Sequence, residues 1–216
     1  MPESFSYFFS VAILMVLVGI FSSLLVSFYV YDISNLYELS WLDDVNVLQD
    51  YKIVNINAGF DEMSILLSAK YPTNNLTVYD FYDATKHTEV SIERARKAYP
   101  CFPETIKVET ANIPLHEAMI DLIFVIFSAH EIRNKTERII FFKELDRILK
   151  ADGKIIIVEH LRDVPNFFAY NFGFLHFFSR NEWIETFYSS NLLISKEFSI
   201  TPFVRAFILN KNGDTR

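Results

Sequence analysis

Three scarcities shape the reading of this chain. There is one cysteine, Cys101, so no disulfide can form within the chain, which suits a reducing compartment. There are five glycines, and only Gly59 falls at a strand-to-helix turn. That pattern is a poor match to the dinucleotide-binding turn, which needs glycines at three fixed positions. No lysine or arginine precedes Lys52. A secretory signal peptide needs a basic n-region, a shorter apolar run and a small-residue cleavage site, so this N-terminus fits that alternative poorly. The same absence leaves the positive-inside rule little to read. The net charge of −7 argues against a broad nucleic-acid footprint.

What is abundant is apolar. Hydrophobic residues make up 51% of the chain, with 22 phenylalanines. Ser4 to Tyr31 reads "SFSYFFSVAILMVLVGIFSSLLVSFYVY" without a charge. As a helix it would reach about 40 Å, enough to cross a hydrocarbon core with tilt. A transmembrane helix over 5–31 is expected, with a hydrophobic hairpin or a helix docked on the domain as the alternatives. Tyr7, Tyr29 and Tyr31 would mark the interfaces. In residues 32–50, Ile33, Leu36, Leu39, Leu42 and Val45 predict a linker helix packed on the domain.

From residue 51 to 210, strands and helices alternate. "KIVNIN", "NLTVYD", "TIKVET", "MIDLIFVIFS" and "KIIIVEH" read as strands, and "DEMSILLSAKY", "HTEVSIERARKAY" and "NKTERIIFFKELDRILK" as helices. In the last of these Asn134 and Glu137 have capping-box spacing. Its expected apolar face is Ile139, Ile140, Phe142, Leu145, Ile148 and Leu149. "ADG" should turn the chain into the fifth strand. Strands apolar throughout and separated by helices mean a parallel sheet covered on both faces. "LLISKEFSI" and "FVRAFILNK", joined by "TP", should be antiparallel. The fold class is α/β: a Rossmann-like, mostly parallel seven-stranded sheet with one antiparallel strand, after an N-terminal transmembrane helix. "NFFAYNFGFLHFF" after strand five, with seven aromatics in 13 residues, fits no simple crossover. It reads as core packing, as a lid over an apolar acceptor, or as an interfacial patch.

The order of these pieces over about residues 50–210 resembles the class I S-adenosylmethionine-dependent methyltransferases. "IPLHEAMIDLIFVIFSAHEI" and "RIIFFKELDRILKADGKIIIVEH" carry the likeness, although "LKADGK" keeps one glycine of that family's Leu-Lys-Pro-Gly-Gly. "FYDATKHTEVSIERARKAYP" with "AHEIR" is similar to a bacterial subgroup of aryl pigment and lipid pathways. Aligned with the family's first loop, Asn55 replaces the acid, Asn57 the first glycine, and Asp61 the third, while Gly59 keeps the central one. Asn tolerates the left-handed region, so Asn57 is a workable substitute. Asn55 or Asp61 could receive the cofactor's ammonium, and Asp61 can cap the next helix. The resemblance implies that Asp80 grips the ribose hydroxyls and that Phe81 packs on adenine. Thr110 or Asn112 would bond the adenine amino group, without the family's usual charge there.

His130, Glu159 and His160 follow strands four and five, where open α/β sheets bind ligands. They are the acid–base candidates, and His130 has Glu131 beside it. The five histidines, His87, His116, His130, His160 and His176, are scattered without ligand-like spacing, so no metal site is expected. The expected function is a membrane-anchored methyltransferase using S-adenosylmethionine on a hydrophobic, aryl or lipid-like acceptor. Its domain would face the cytoplasm, as the resemblance implies from where this cofactor is made. The alternative is a non-catalytic methyltransferase-like scaffold that binds a membrane-protein partner, which the eroded loop and Thr110 favour. No nucleic-acid partner is expected.

Overall fold

The runs of Ile, Val and Phe that end in polar residues become strands buried on both faces. A computed structural model describes residues 3–87 and 90–213. Strands β1 (Lys52–Asn57), β2 (Asn75–Asp80), β3 (Ile106–Lys107), β4 (Ile120–Ile126), β5 (Leu149–His160), β6 (Leu192–Thr201) and β7 (Val204–Lys211) form one sheet. Their order is β3-β2-β1-β4-β5-β7-β6. Neighbours among β1 to β5 pair in parallel, and β7 runs antiparallel to both β5 and β6.

Side chains alternate across β5. Ile155 and Ile157 join the layer built by α4 (Lys135–Ile148) and α6 (Arg180–Ser189), with Phe142, Leu145, Trp183 and Phe187. Ile156 and Val158 face the opposite layer, with Leu67 of α2 (Ser64–Lys70) and with Leu36, Leu39 and Leu42. The charged α3 (Val90–Ala98) flanks the β2–β3 edge; Thr88 and Glu89, within the helix expected there, lie outside the described residues.

Four expectations change. Residues 33–49 are not a continuous helix but turns around a 3-10 turn, Ser40–Leu42. Leu36, Leu39, Leu42 and Val45 are all buried at a spacing of three, the period of 3-10 structure, and Leu39 has φ +55°. The third strand shrinks to Ile106–Lys107, an exposed edge that pairs only with Tyr79 and Asp80. In α4 the buried stripe runs through Phe141, and Ile140 is 41% exposed, so the helix is rotated from the expected face. Residues 150–153 loop out within β5, because Leu149 pairs with Ile120 and Lys154 with Leu122. A Cβ on Gly153 would lie 2.7 Å from the Leu149 side chain, so glycine permits that bulge.

The apolar helix α1 (Glu3–Phe28) continues through a π-helical turn, Tyr29–Ile33. Most of its side chains from Tyr7 onward are exposed. It packs along α5 (Val164–Tyr170), and its end is pinned to the sheet. There Val30 is buried, and Tyr31 Oη lies 3.0 Å from His160 Nε2.

Candidate active site

Asp80 ends β2 beside the turn that follows β1, and both elements put polar groups at the same sheet edge. Asn57 Oδ1 accepts the Gly59 N–H at 2.9 Å, which bends the chain through Gly59 at φ +91°. Asp61 Oδ1 accepts the N–H groups of Met63 and Ser64 at 3.1 and 2.9 Å and so caps the start of α2. Asn57 Nδ2 and Asp61 Oδ2 are buried and without a hydrogen-bond partner. They line a cavity of about 10 Å³ with Gly59, Phe60 and Tyr99, which is room for about one water. Asn55 is committed elsewhere. Its Nδ2 donates to Ser64 Oγ at 2.9 Å and reaches Asp61 Oδ1 at 3.3 Å, so it staples the loop to the helix rather than presenting donors to a ligand.

Asp80 is 2% exposed. Its Oδ1 accepts the Tyr82 N–H at 2.7 Å, and Arg96 Nη1 donates to its Oδ2 at 2.9 Å, with Lys107 Nζ at 3.4 Å. The same Arg96 nitrogen donates to the Gly59 carbonyl at 3.0 Å, and the guanidinium lies 4.5 Å from the Tyr82 ring centre. A Cβ on Gly59 would approach Arg96 Nη1 to 2.3 Å. The guanidinium therefore covers the glycine and occupies one oxygen of the carboxylate.

Past Tyr82 opens a cavity of about 430 Å³, lined by Phe81, Tyr82, His87, Val108, Thr110 and Glu137, among others. Phe81 touches this cavity but packs mainly into the core against Phe141, ring centres 5.2 Å apart, so Tyr82 is the aromatic side chain beside Gly59 and Arg96. Thr110 Oγ1 donates to Glu137 Oε1 at 2.6 Å. Asn112 lies in a separate cavity with Glu144 and Arg147 and is not brought to this one. S-adenosylmethionine fits these residues. A buried carboxylate stands at the end of β2, a positive-φ glycine lies beside it, two polar atoms are unpartnered, and a cavity of about 430 Å³, large enough for a nucleobase, opens beyond. Arg96 Nη1, the tip of a flexible side chain, must move aside.

A second cluster stands at the ends of β4 and β5. His130 Nδ1 is 2.6 Å from Glu159 Oε2, and His130 Nε2 is 3.2 Å from Glu131 Oε1. His176, from the aromatic segment, brings Nε2 to 3.7 Å from the same Glu131 oxygen. Glu131 and Glu159 are both buried. Burial alone would lower the His130 pKa, but Glu159 and Glu131 hold it up, at about 10. Burial would raise Glu131, but the His130 and His176 imidazoles hold it well below the usual carboxylate range. Phe127, just before this cluster, has φ +50°, a left-handed conformation of the kind found at functional sites.

His160 stands apart from this pair. Nδ1 donates to the Phe203 carbonyl at 2.8 Å, so Nε2 accepts from Tyr31 Oη. The ring is stacked between Phe127 and Phe177, and burial pushes its pKa down to about 4. With both nitrogens engaged, His160 locks elements together, which differs from the acid–base part expected for it. Sequence reasoning missed Arg96 and Tyr82, which nothing in "IERARKAY" or "DFYD" singles out. It placed Glu131 at the strand end without giving it a role, and it missed His176 as a site member.

Residues 58–157 match the family model of a methyltransferase domain. The curated proteins include no match to the chain. Solved structures share the fold. A SAM-dependent methyltransferase from Aquifex aeolicus superposes with TM-score 0.60 at 16% identity, covering 82% of this chain and 93% of that one. The putative methyltransferase of Haloferax volcanii, solved in complex with the Trm112 methyltransferase activator, gives 0.61 at 12% identity, covering 87% and 93%. Geranyl diphosphate C-methyltransferase from Streptomyces coelicolor gives 0.54 at 10% identity, covering 81% and 78%. The seven-stranded sheet is thus the fold of these methyltransferases, and residues 58–157, a little under half of the chain, are similar to the methyltransferase-domain family.

Proposed function

We propose that this chain is a membrane-anchored methyltransferase that acts on a hydrophobic, aryl or lipid-like acceptor at the cytoplasmic surface of a bilayer. One observation carries the acceptor assignment. Between α1 and the aromatic segment lies an apolar cavity of about 610 Å³, lined by Met15, Gly19, Ile20, Leu24, Tyr170 and Phe172, among others. Its wall residue Tyr170 packs on Phe177 with ring centres 5.5 Å apart, and Phe177 packs on His176 at 6.2 Å. The cavity is thereby joined, ring by ring, to the strand-end cluster. Phe167, Phe168, Phe172 and Leu175 on the same segment are exposed, as in a surface that dips into an interface. A helix over Tyr7–Ile33 is long and apolar enough to span the membrane beside it.

In this reading the bound cofactor supplies a methyl group activated on a sulfonium. Asp80 accepts from the ribose hydroxyls, with two oxygens for two adjacent donors. Gly59 allows close approach, and Asn57 and Asp61 offer their unpartnered atoms to the cofactor's amino-acid end. The His130–Glu159 pair and Glu131 put proton-handling groups beyond the Phe177 and His176 rings that adjoin the wall of the apolar cavity. A second reading, a non-catalytic scaffold for a membrane-protein partner, is favoured by one feature: Arg96 already occupies Asp80 Oδ2 and the Gly59 carbonyl. Calorimetry of the detergent-solubilised chain with S-adenosylmethionine separates the two. Micromolar binding that Asp80→Ala abolishes supports the enzyme. No heat and no thermal stabilisation, in the parent chain and in Arg96→Ala alike, would leave the scaffold.

A further inference from the structure

We propose that His130, Glu131 and His176 form a binding site for one divalent first-row transition ion, held by two imidazoles and one carboxylate. Among the described residues their ligand atoms lie within 4.8 Å of one another. An ion with bonds of about 2.0–2.2 Å to nitrogen and oxygen holds tetrahedral ligands about 3.4 Å apart. The separations from Glu131 Oε1 bracket that value, at 3.2 Å to His130 Nε2 and 3.7 Å to His176 Nε2. The longer one exceeds a hydrogen bond, yet it suits two ligands of one ion.

The hydrogen bonding around the cluster points the same way. Glu159 Oε2, 2.6 Å from His130 Nδ1, accepts the proton there and aims Nε2 at Glu131, so an ion that displaces the Nε2 proton meets its lone pair. This is the carboxylate–histidine pairing that orients metal-bound imidazoles. Nε2 and Oε1 face each other at 3.2 Å in a buried place, and a cation that replaces the proton between them is bound by both. A proton on His130 would serve Oε1 alone, whereas Glu131 Oε2 is also buried and has no hydrogen-bond partner. A divalent ion with neutral imidazoles balances both buried carboxylates, Glu131 and Glu159.

Arg133 fixes the two contributing loops, because its Nη1 donates to the backbone carbonyls of both His130 and His176. Two imidazoles select ions such as zinc, iron or nickel over magnesium and calcium, which favour oxygen ligands. The expectation of no metal site came from the scatter of the histidines along the chain. The fold brings the end of β4 and the aromatic segment together.

The test is titration of the chelator-stripped, full-length chain in detergent with Co²⁺, read by visible absorption, followed by Zn²⁺ competition. We expect one ion per chain, displaced by Zn²⁺ and not by Mg²⁺. His176→Ala removes a ligand at a 3-10 turn whose side chain is 29% exposed, and the fold should survive it. It should weaken binding by more than about 100-fold, and Glu159→Gln, which keeps all three ligands, by about 10–100-fold. A parent chain that melts cooperatively but takes up no ion overturns the proposal. So does an affinity unchanged in both variants, or a preference for Mg²⁺. No nucleoside is present in these titrations, so a failure here is distinct from a failure to bind S-adenosylmethionine.

Discussion

Arg96 holds two positions that a nucleoside would need, the Oδ2 of Asp80 and the space over Gly59. With Lys107 nearby it balances the charge of a buried carboxylate, so removing it must cost stability. Because the Tyr82 N–H and Lys107 remain, the loss expected for Arg96→Ala is about 1–3 kcal/mol. Affinity should move the other way. A ligand that no longer has to displace the guanidinium gains, and a tenfold tighter dissociation constant corresponds to about 1.4 kcal/mol. Chemical denaturation and calorimetry on the same variant read both quantities. A variant that binds S-adenosylmethionine more weakly would show that Arg96 belongs to the cofactor's own contacts. The site was legible at this scale only where a residue keeps the type and position that the motif demands. Asp80 and Gly59 could be picked out by place in the sequence. Asn55 has the right position, but its donors are spent on Ser64 and Asp61. Arg96 acts from a helix whose other charges face water, and no local pattern separates it from Arg94 or Lys97.

At the scale of elements, the junction between the end of α1 and the sheet turns on His160. Around its ring are Tyr31 from the π-helical turn, Tyr170 from α5, the Phe203 carbonyl from the β6–β7 turn and, at longer range, the His130 charge. Its folded pKa of about 4 is below the unfolded value of about 6.5. The stability it contributes is therefore complete above about pH 6.5 and is lost as pH falls toward 4, because only the unfolded chain binds the proton readily. Melting of the full chain between pH 7 and pH 4 should show this loss, and His160→Asn should flatten it. An unchanged slope in the variant would place the acid sensitivity elsewhere. Elements with one clear period were legible. The buried runs of β1, β4 and β5 and the Asn134 cap of α4 needed no tertiary information. The segment 33–49 misled because a spacing of three fits a helix loosely and 3-10 turns better. The aromatic run after β5 had no period at all. It divides into α5, a 3-10 turn over Asn171–His176 and the residues that wall His160.

For the whole molecule, the decisive question is what covers α1. Its exposed Leu17, Phe21 and Leu25 form a face that the domain leaves open, while Gly19 faces the 3-10 turn after α5 closely enough that the Asn171 Nδ2 lies 3.1 Å from where its Cβ would be. One side of the helix thus packs on the protein, and the other is apolar and open. Phe21 is 64% exposed and does not line the cavity against Tyr170, so Phe21→Arg leaves the cavity intact. In a bilayer, arginine near the helix centre costs about 2.5–3.5 kcal/mol, enough to reduce stable insertion severely. On a water-exposed helix the same change removes an exposed aromatic ring and improves solubility. The two environments predict opposite signs for one substitution. Membranes washed with alkaline carbonate should retain the parent chain and release much of the Phe21→Arg variant. A parent chain found in the wash, with the variant merely more soluble, would detach the domain from the bilayer. The apolar cavity would then have to be filled from solution.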